Sequence, residues 1–190
     1  MSIRCLILMI KRVTRKISGI AILKSNDTLI LGIGNTLLTD EGAGIHALNL
    51  LQSEYSNIPN LTFLDGGTLS FTLACWIEDT TNLIVFDAAE LHQPAGAVMS
   101  FVGEEMDAFL GSSKRSAHEV GLLDLIDIAR ITEHLPDNRA LIGIQPQTMT
   151  WGMEPTEAVA NSLKKMVKEA VSLIEQWQVP QMKQGTLITV

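Results

Sequence analysis

The sequence predicts an α/β fold: one domain built on a mostly parallel, twisted β-sheet of about five strands, with helices on both faces. Short apolar runs alternate with longer segments of helical period from Thr28 onward. Most of those runs are too uniformly apolar for a sheet with one wet face, which points to parallel strands covered on both sides. The length, 190 residues, fits a single domain.

Each element follows from its local pattern. Thr28–Gly34, Leu61–Leu64, Asn82–Asp87, Gly96–Val102 and Ala140–Gln145 read as strands. Glu41–Tyr55 places Ile45, Leu48, Leu51 and Tyr55 on one helical stripe, and Glu119–Ile131 reads as a second apolar-rich helix. In the last helix Pro155 suits the first turn. Val159, Leu163, Met166, Val167, Ala170, Val171 and Ile174 form its expected buried face. The expected organisation is a basic N-terminal extension (1–24), a folded domain (25–178) and a flexible tail (179–190).

Composition narrows the function. Hydrophobic residues at 46% against 18% charged exclude intrinsic disorder. Residues 1–24 hold six basic side chains and no acid, so residues 25–190 carry eight basic against 21 acidic residues, a net charge of −13. So acidic a domain is unsuited to phosphate-backbone contacts, and no nucleic-acid partner is expected. The apolar run Cys5–Ile10 is shorter than a signal-peptide core, and no stretch is long enough for a transmembrane helix. Cys5 and Cys75 lack metal-thiolate spacing and are expected as free thiols in a reducing cytoplasm.

Parallel sheets bind ligands beyond the carboxyl ends of their strands, which directs attention to residues 32–44, 65–68 and 87. Gly32-Ile33-Gly34-Asn35 follows a strand and precedes a helix, but Leu37 stands where a dinucleotide loop has its third glycine. Asp40 and Glu41 sit at a helix start, where the dipole favours carboxylates whether they cap or bind. Asp87 ends an apolar strand, and His118 follows the small, polar loop Ser112–Ser116. Glu41, Asp87 and His118 lie on three connections that the sheet would bring to one edge. Two carboxylates and an imidazole with open positions suit nickel, zinc or iron.

Four segments in order carry a family resemblance: residues 32–44 (GIGNTLLTDEGAG), 65–68 (DGGT), 86–88 (FDA) and 118–122 (HEVGL). They resemble the hydrogenase maturation endopeptidases, from about Thr28 to Trp177, and Gln145-Pro146 is similar to the uptake-type members. The resemblance implies an enzyme that removes the C-terminal extension of a nickel-iron hydrogenase large-subunit precursor once nickel is inserted. It implies metal contacts at Glu41, Asp87 and His118, with Glu41 and Asp87 catalytic. It also implies a substrate cleft at Gly32, Gly34, Asn35, Asp40, Asp65, Gly66 and Gly67, whose glycines let backbone approach the substrate. The nickel is expected to arrive with the precursor, and the enzyme to be a cytoplasmic monomer. Glu119 stands where Gln is common, and the basic extension has no family counterpart.

Neither a Ser-His-Asp set nor the His-Glu-x-x-His helix of zinc peptidases is visible, which leaves carboxylates, a metal, or both. The sequence leaves open whether nickel gates the cut or the acids activate water directly. A nickel-sensing module that docks without cutting is the alternative, and a nucleotide-binding protein is a weaker one.

Overall fold

The computed structural model describes residues 27–112 and 121–178. The expected N-terminal extension, the expected tail, His118 and the start of the helix expected from Glu119 lie outside the described residues.

Five strands form one sheet: β1 (Thr28–Gly32), β2 (Leu61–Asp65), β3 (Asn82–Ala88), β4 (Val98–Val102) and β5 (Asn138–Ile144), in the order β2-β1-β3-β5-β4. β3, at the centre, buries Leu83 to Phe86 completely, as its unbroken apolar run requires. β1 pairs in parallel with both β2 and β3, and β5 in parallel with β3. β4 runs antiparallel to β5 at the sheet edge. Residues 89–97, which join β3 to β4, contain no helix to carry the chain back across the sheet, so it turns over and runs straight down.

Both faces are covered. On one face α1 (Ala43–Tyr55), a short α5 (Glu157–Ala160) and α6 (Leu163–Gln178) pack against Ile30, Ile84, Phe86 and Ile142. On the other, α2 (Ala74–Glu78), α3 (Glu104–Ser112) and α4 (Leu122–Ile131) cover Leu29, Leu31, Leu83 and Val85. α6 is strongly amphipathic. Met166, Val167, Leu173 and Ile174 are buried, each contributing about 1.5–3 kcal/mol, while Lys164, Lys165 and Lys168 face water. Pro155 lies before this helical region, not in its first turn, because Thr156 is the N-cap of α5. The helix expected to be continuous is interrupted at Asn161-Ser162.

α2 and α3 escape the sequence patterns because each is short and buries few side chains, Ile77 in one and Met106 in the other. α3 is fastened instead by charge. Arg139 on β5 donates two hydrogen bonds to Asp107, at 2.9 and 2.6 Å, and Arg130 on α4 donates a third at 2.8 Å. The Arg139 hydrogen bonds outweigh burial and hold the Asp107 carboxyl below its usual range. Cys75 is disulfide-bonded, so the free thiol expected there is corrected. With it goes the thiol-based argument for a reducing compartment.

Candidate active site at the switch point

The order β2-β1-β3 fixes where a ligand crevice opens. α1 leads from β1 to β2 over one face and α2 leads from β2 to β3 over the other, so the winding reverses between β1 and β3. Beyond the carboxyl ends of those two strands, neither helix covers the sheet. A 3-10 turn, Thr39–Gly42, fills the entrance to α1 and packs against β3.

Two glycines make this arrangement possible. At Gly44, a Cβ would lie 2.2 Å from the Ile33 carbonyl oxygen and 2.4 Å from that of Phe86, so only glycine lets α1 start in contact with both strands. Gly34 has φ +136°, and a Cβ there would lie 1.8 Å from the Glu41 carbonyl oxygen. The loop after β1 therefore closes directly onto the backbone of Glu41.

Glu41 is half-buried at this turn, and Asp87 is half-buried at the end of β3. Burial pushes the Asp87 carboxyl up to about 7, a hydrogen bond from the Ala88 backbone works against this, and the negative charge of Glu41 raises it further. The structure thus brings Glu41 close enough to Asp87 at the switch point to add to a shift whose main cause is burial. His118 belongs to the segment between α3 and α4 that lies outside the described residues. Among the described residues, no group of three or more His, Cys, Asp or Glu side chains is placed to hold a metal ion. Asp87 and Glu41 are two of the three ligand positions expected from the sequence.

Asp40 departs from expectation. Instead of lining the cleft, its side chain is fully buried and accepts four hydrogen bonds. The donors are the Gln147, Thr148 and Thr156 backbone amides, at 2.8, 3.1 and 2.6 Å, and the Thr156 hydroxyl at 3.0 Å. Burial alone would raise its pKa, but these bonds outweigh it and hold the carboxyl below its usual range. Asp40 is therefore a staple that ties the turn carrying Glu41 to the loop after β5. Thr39 adds to the same seam, donating its amide to Gly152 at 2.7 Å and its hydroxyl to Thr148 at 2.9 Å.

The expected cleft glycines also divide. Gly32 faces Gly44 and Leu48, and Gly66 faces Leu31 and the Gly32 carbonyl, so both serve close packing within the protein. Their close approach here is to the chain itself. Gly67 differs, with φ +51° and open space where a side chain would be. Asp65 is exposed and accepts the Gly67 amide at 2.8 Å, shaping that turn. Asn35 is half-buried and accepts the Leu37 amide at 3.0 Å, shaping the next one.

Two residues outside the expected site set support it from behind. Gln145 is buried and accepts the Leu91 amide at 2.7 Å, holding the loop that leaves β3. Thr156 completes the Asp40 staple. Nothing in the local sequence marks Thr156, because its partner is 116 residues away.

Fold and site together define an α/β protein of the doubly wound class with a coupled carboxylate pair at its ligand crevice. Comparison with known proteins narrows this. The family model described as HycI, hydrogenase maturation protease, matches residues 45–173. The hydrogenase expression/formation protein HupD of Rhodobacter capsulatus is 32% identical over 165 residues, 86% of this chain and 79% of that protein. The Hydrogenase 2 maturation protease of Escherichia coli is 30% identical over 146 residues, 77% of this chain and 87% of that one. Among solved structures, the hydrogenase maturating endopeptidase HybD from E. coli superposes with a TM-score of 0.74 at 27% identity, covering 80% of this chain and 94% of that one. The HybD protease from Thermococcus kodakarensis gives 0.64 at 29% identity, covering 78% and 99%. The chain belongs to the hydrogenase maturation protease family, whose members cleave the C-terminal extension of the hydrogenase large subunit. It is an endopeptidase of that kind. No helix among the described residues is long and apolar enough to cross a membrane.

Proposed function

We propose that this endopeptidase cuts its large-subunit precursor only after nickel has been inserted, and that Glu41, Asp87 and His118 contact the nickel that the precursor carries. The observation that supports this reading is the coupling of Asp87 to Glu41 at the switch point, with Asp87 raised to about 7. A carboxyl poised there exchanges its proton readily near neutral pH. A cation placed against the pair favours the ionised form of both acids, so nickel docking expels that proton and leaves two carboxylates facing the scissile segment. The ionised pair is then placed to take a proton from water as it attacks the peptide carbonyl, and the acid so formed returns it to the leaving amine. The enzyme acts as a monomer in this reading.

The test is incubation with nickel-loaded and nickel-free precursor, followed by mass spectrometry for loss of the C-terminal peptide. Shortening of the loaded form alone, abolished by Asp87→Asn, is expected. Equal shortening of both forms would remove the nickel gate and leave an ungated carboxylate peptidase.

A further inference from the structure

Four large apolar side chains stand exposed beside the candidate site: Trp151 at 83%, Met153 at 66%, and Leu37 and Met149 at 47% each. They come from two stretches joined across the chain. Leu38 bridges Gly152 in parallel, the Gly152 amide donates to the Leu37 carbonyl at 3.0 Å, and the Thr39 amide donates to the Gly152 carbonyl at 2.7 Å. Leu37 and Trp151 therefore flank the same bridge, with Met149 and Met153 on either side of Trp151. Residues 35–39 and 146–153, which carry the four side chains, contain no Asp, Glu, Lys or Arg, and the exposed Glu154 marks the edge of the patch.

We propose that this patch is the docking surface for the hydrogenase precursor, seating an uncharged, apolar face of that protein next to its C-terminal extension. The proposal rests on the function argued above and adds the surface by which the substrate is held. The core does not use these side chains, so their exposure is a cost to solubility that packing does not repay. An exposed tryptophan flanked by exposed methionines matches the composition of interface anchors. The occupant follows from continuity with the active site. Leu37 lies four residues before Glu41 on the same turn, and Asp40 ties that turn to Gln147, Thr148 and Thr156 on the loop that carries Met149, Trp151 and Met153. A protein seated on the patch is thereby fixed in position relative to Glu41 and Asp87. A second copy of this chain, or its own residues 1–24, would gain nothing from that registration.

The double variant Trp151→Ser/Met153→Ser removes the two most exposed side chains without touching either acid or the staple. Steady-state cleavage of nickel-loaded precursor is compared with wild type, and thermal melts check that the fold is intact. The expected result is a KM raised at least tenfold with kcat within twofold. Binding of precursor to Asp87→Asn protein, with and without the double substitution, gives the same comparison independently of any cutting. Wild-type protein that fails to cut but binds through the patch sinks the proposed function and spares the docking surface. Unchanged KM and unchanged binding overturn the docking surface, as does a loss confined to kcat. A wild-type dimer that the double variant dissociates, with KM unchanged, assigns the patch to self-association and overturns the proposal. A fall in KM on deleting residues 1–24 that requires Trp151 and Met153 assigns it to that segment, with the same consequence.

Discussion

Replacing Asp87 by asparagine tests the electrostatics of the site separately from catalysis. Asp87 is raised from 3.8 to about 7 by burial and by Glu41. A raised carboxyl stabilises the folded protein below the unfolded pKa, and that contribution is lost as pH rises through the folded value. Between pH 5 and about 7 the folded chain keeps a proton that the unfolded chain has released. That interval spans roughly two pH units at about 1.36 kcal/mol each, or about 2.7 kcal/mol before solvent screening. Asp87 is only half-buried, so about 1–2 kcal/mol is the expected size. Asparagine has no proton to lose. The stability of Asp87→Asn relative to wild type should therefore grow by about 1–2 kcal/mol from pH 5 to pH 8, read from urea unfolding at both values. Glu41→Gln should lower the Asp87 pKa, measured by carbon NMR of the carboxyl, because it removes one of the two influences that raise it. A stability difference that is flat with pH, or an Asp87 pKa unmoved by Glu41→Gln, would refute the coupled pair.

Two further changes probe the scaffold. Asp40→Ala leaves three half-buried backbone amides without their acceptor and should cost about 2–4 kcal/mol, seen as a large drop in Tm. Because the Asp40 carboxyl is held below its usual range, its contribution is present above about pH 4 and lost as pH falls through the folded value, so the difference from wild type should shrink in acid. A Tm within a degree or two of wild type would mean that the staple is not structural. Gly34→Ala puts a methyl group 1.8 Å from the Glu41 carbonyl oxygen at a φ of +136°. It should cost roughly 2–4 kcal/mol and reduce cleavage by displacing Glu41; full activity with normal Tm would show that the loop has room to yield.

The layered α/β architecture was legible in the amino-acid order, because an unbroken apolar run such as Leu83–Phe86 suits a strand covered on both faces. So were the positions of Glu41 at a helix start and Asp87 at a strand end, on connections that a parallel sheet brings to one edge. The amphipathic period of residues 163–174 was equally legible. The remainder depends on contacts between segments far apart in the chain. Asp40 and Glu41 are adjacent and chemically alike, yet one is buried as a staple and the other is half-buried within electrostatic reach of Asp87. The difference is made by Gln147, Thr148 and Thr156, whose amides are brought to Asp40 from more than 100 residues away. The glycines follow the same logic. Their spacing announces close approach, but that the group approaching Gly44 is the chain's own backbone follows from the start of α1 being seated against the ends of β1 and β3. Local pattern reports what a residue prefers, whereas the partners that use up its hydrogen bonds come from elsewhere in the chain and appear only once it is folded.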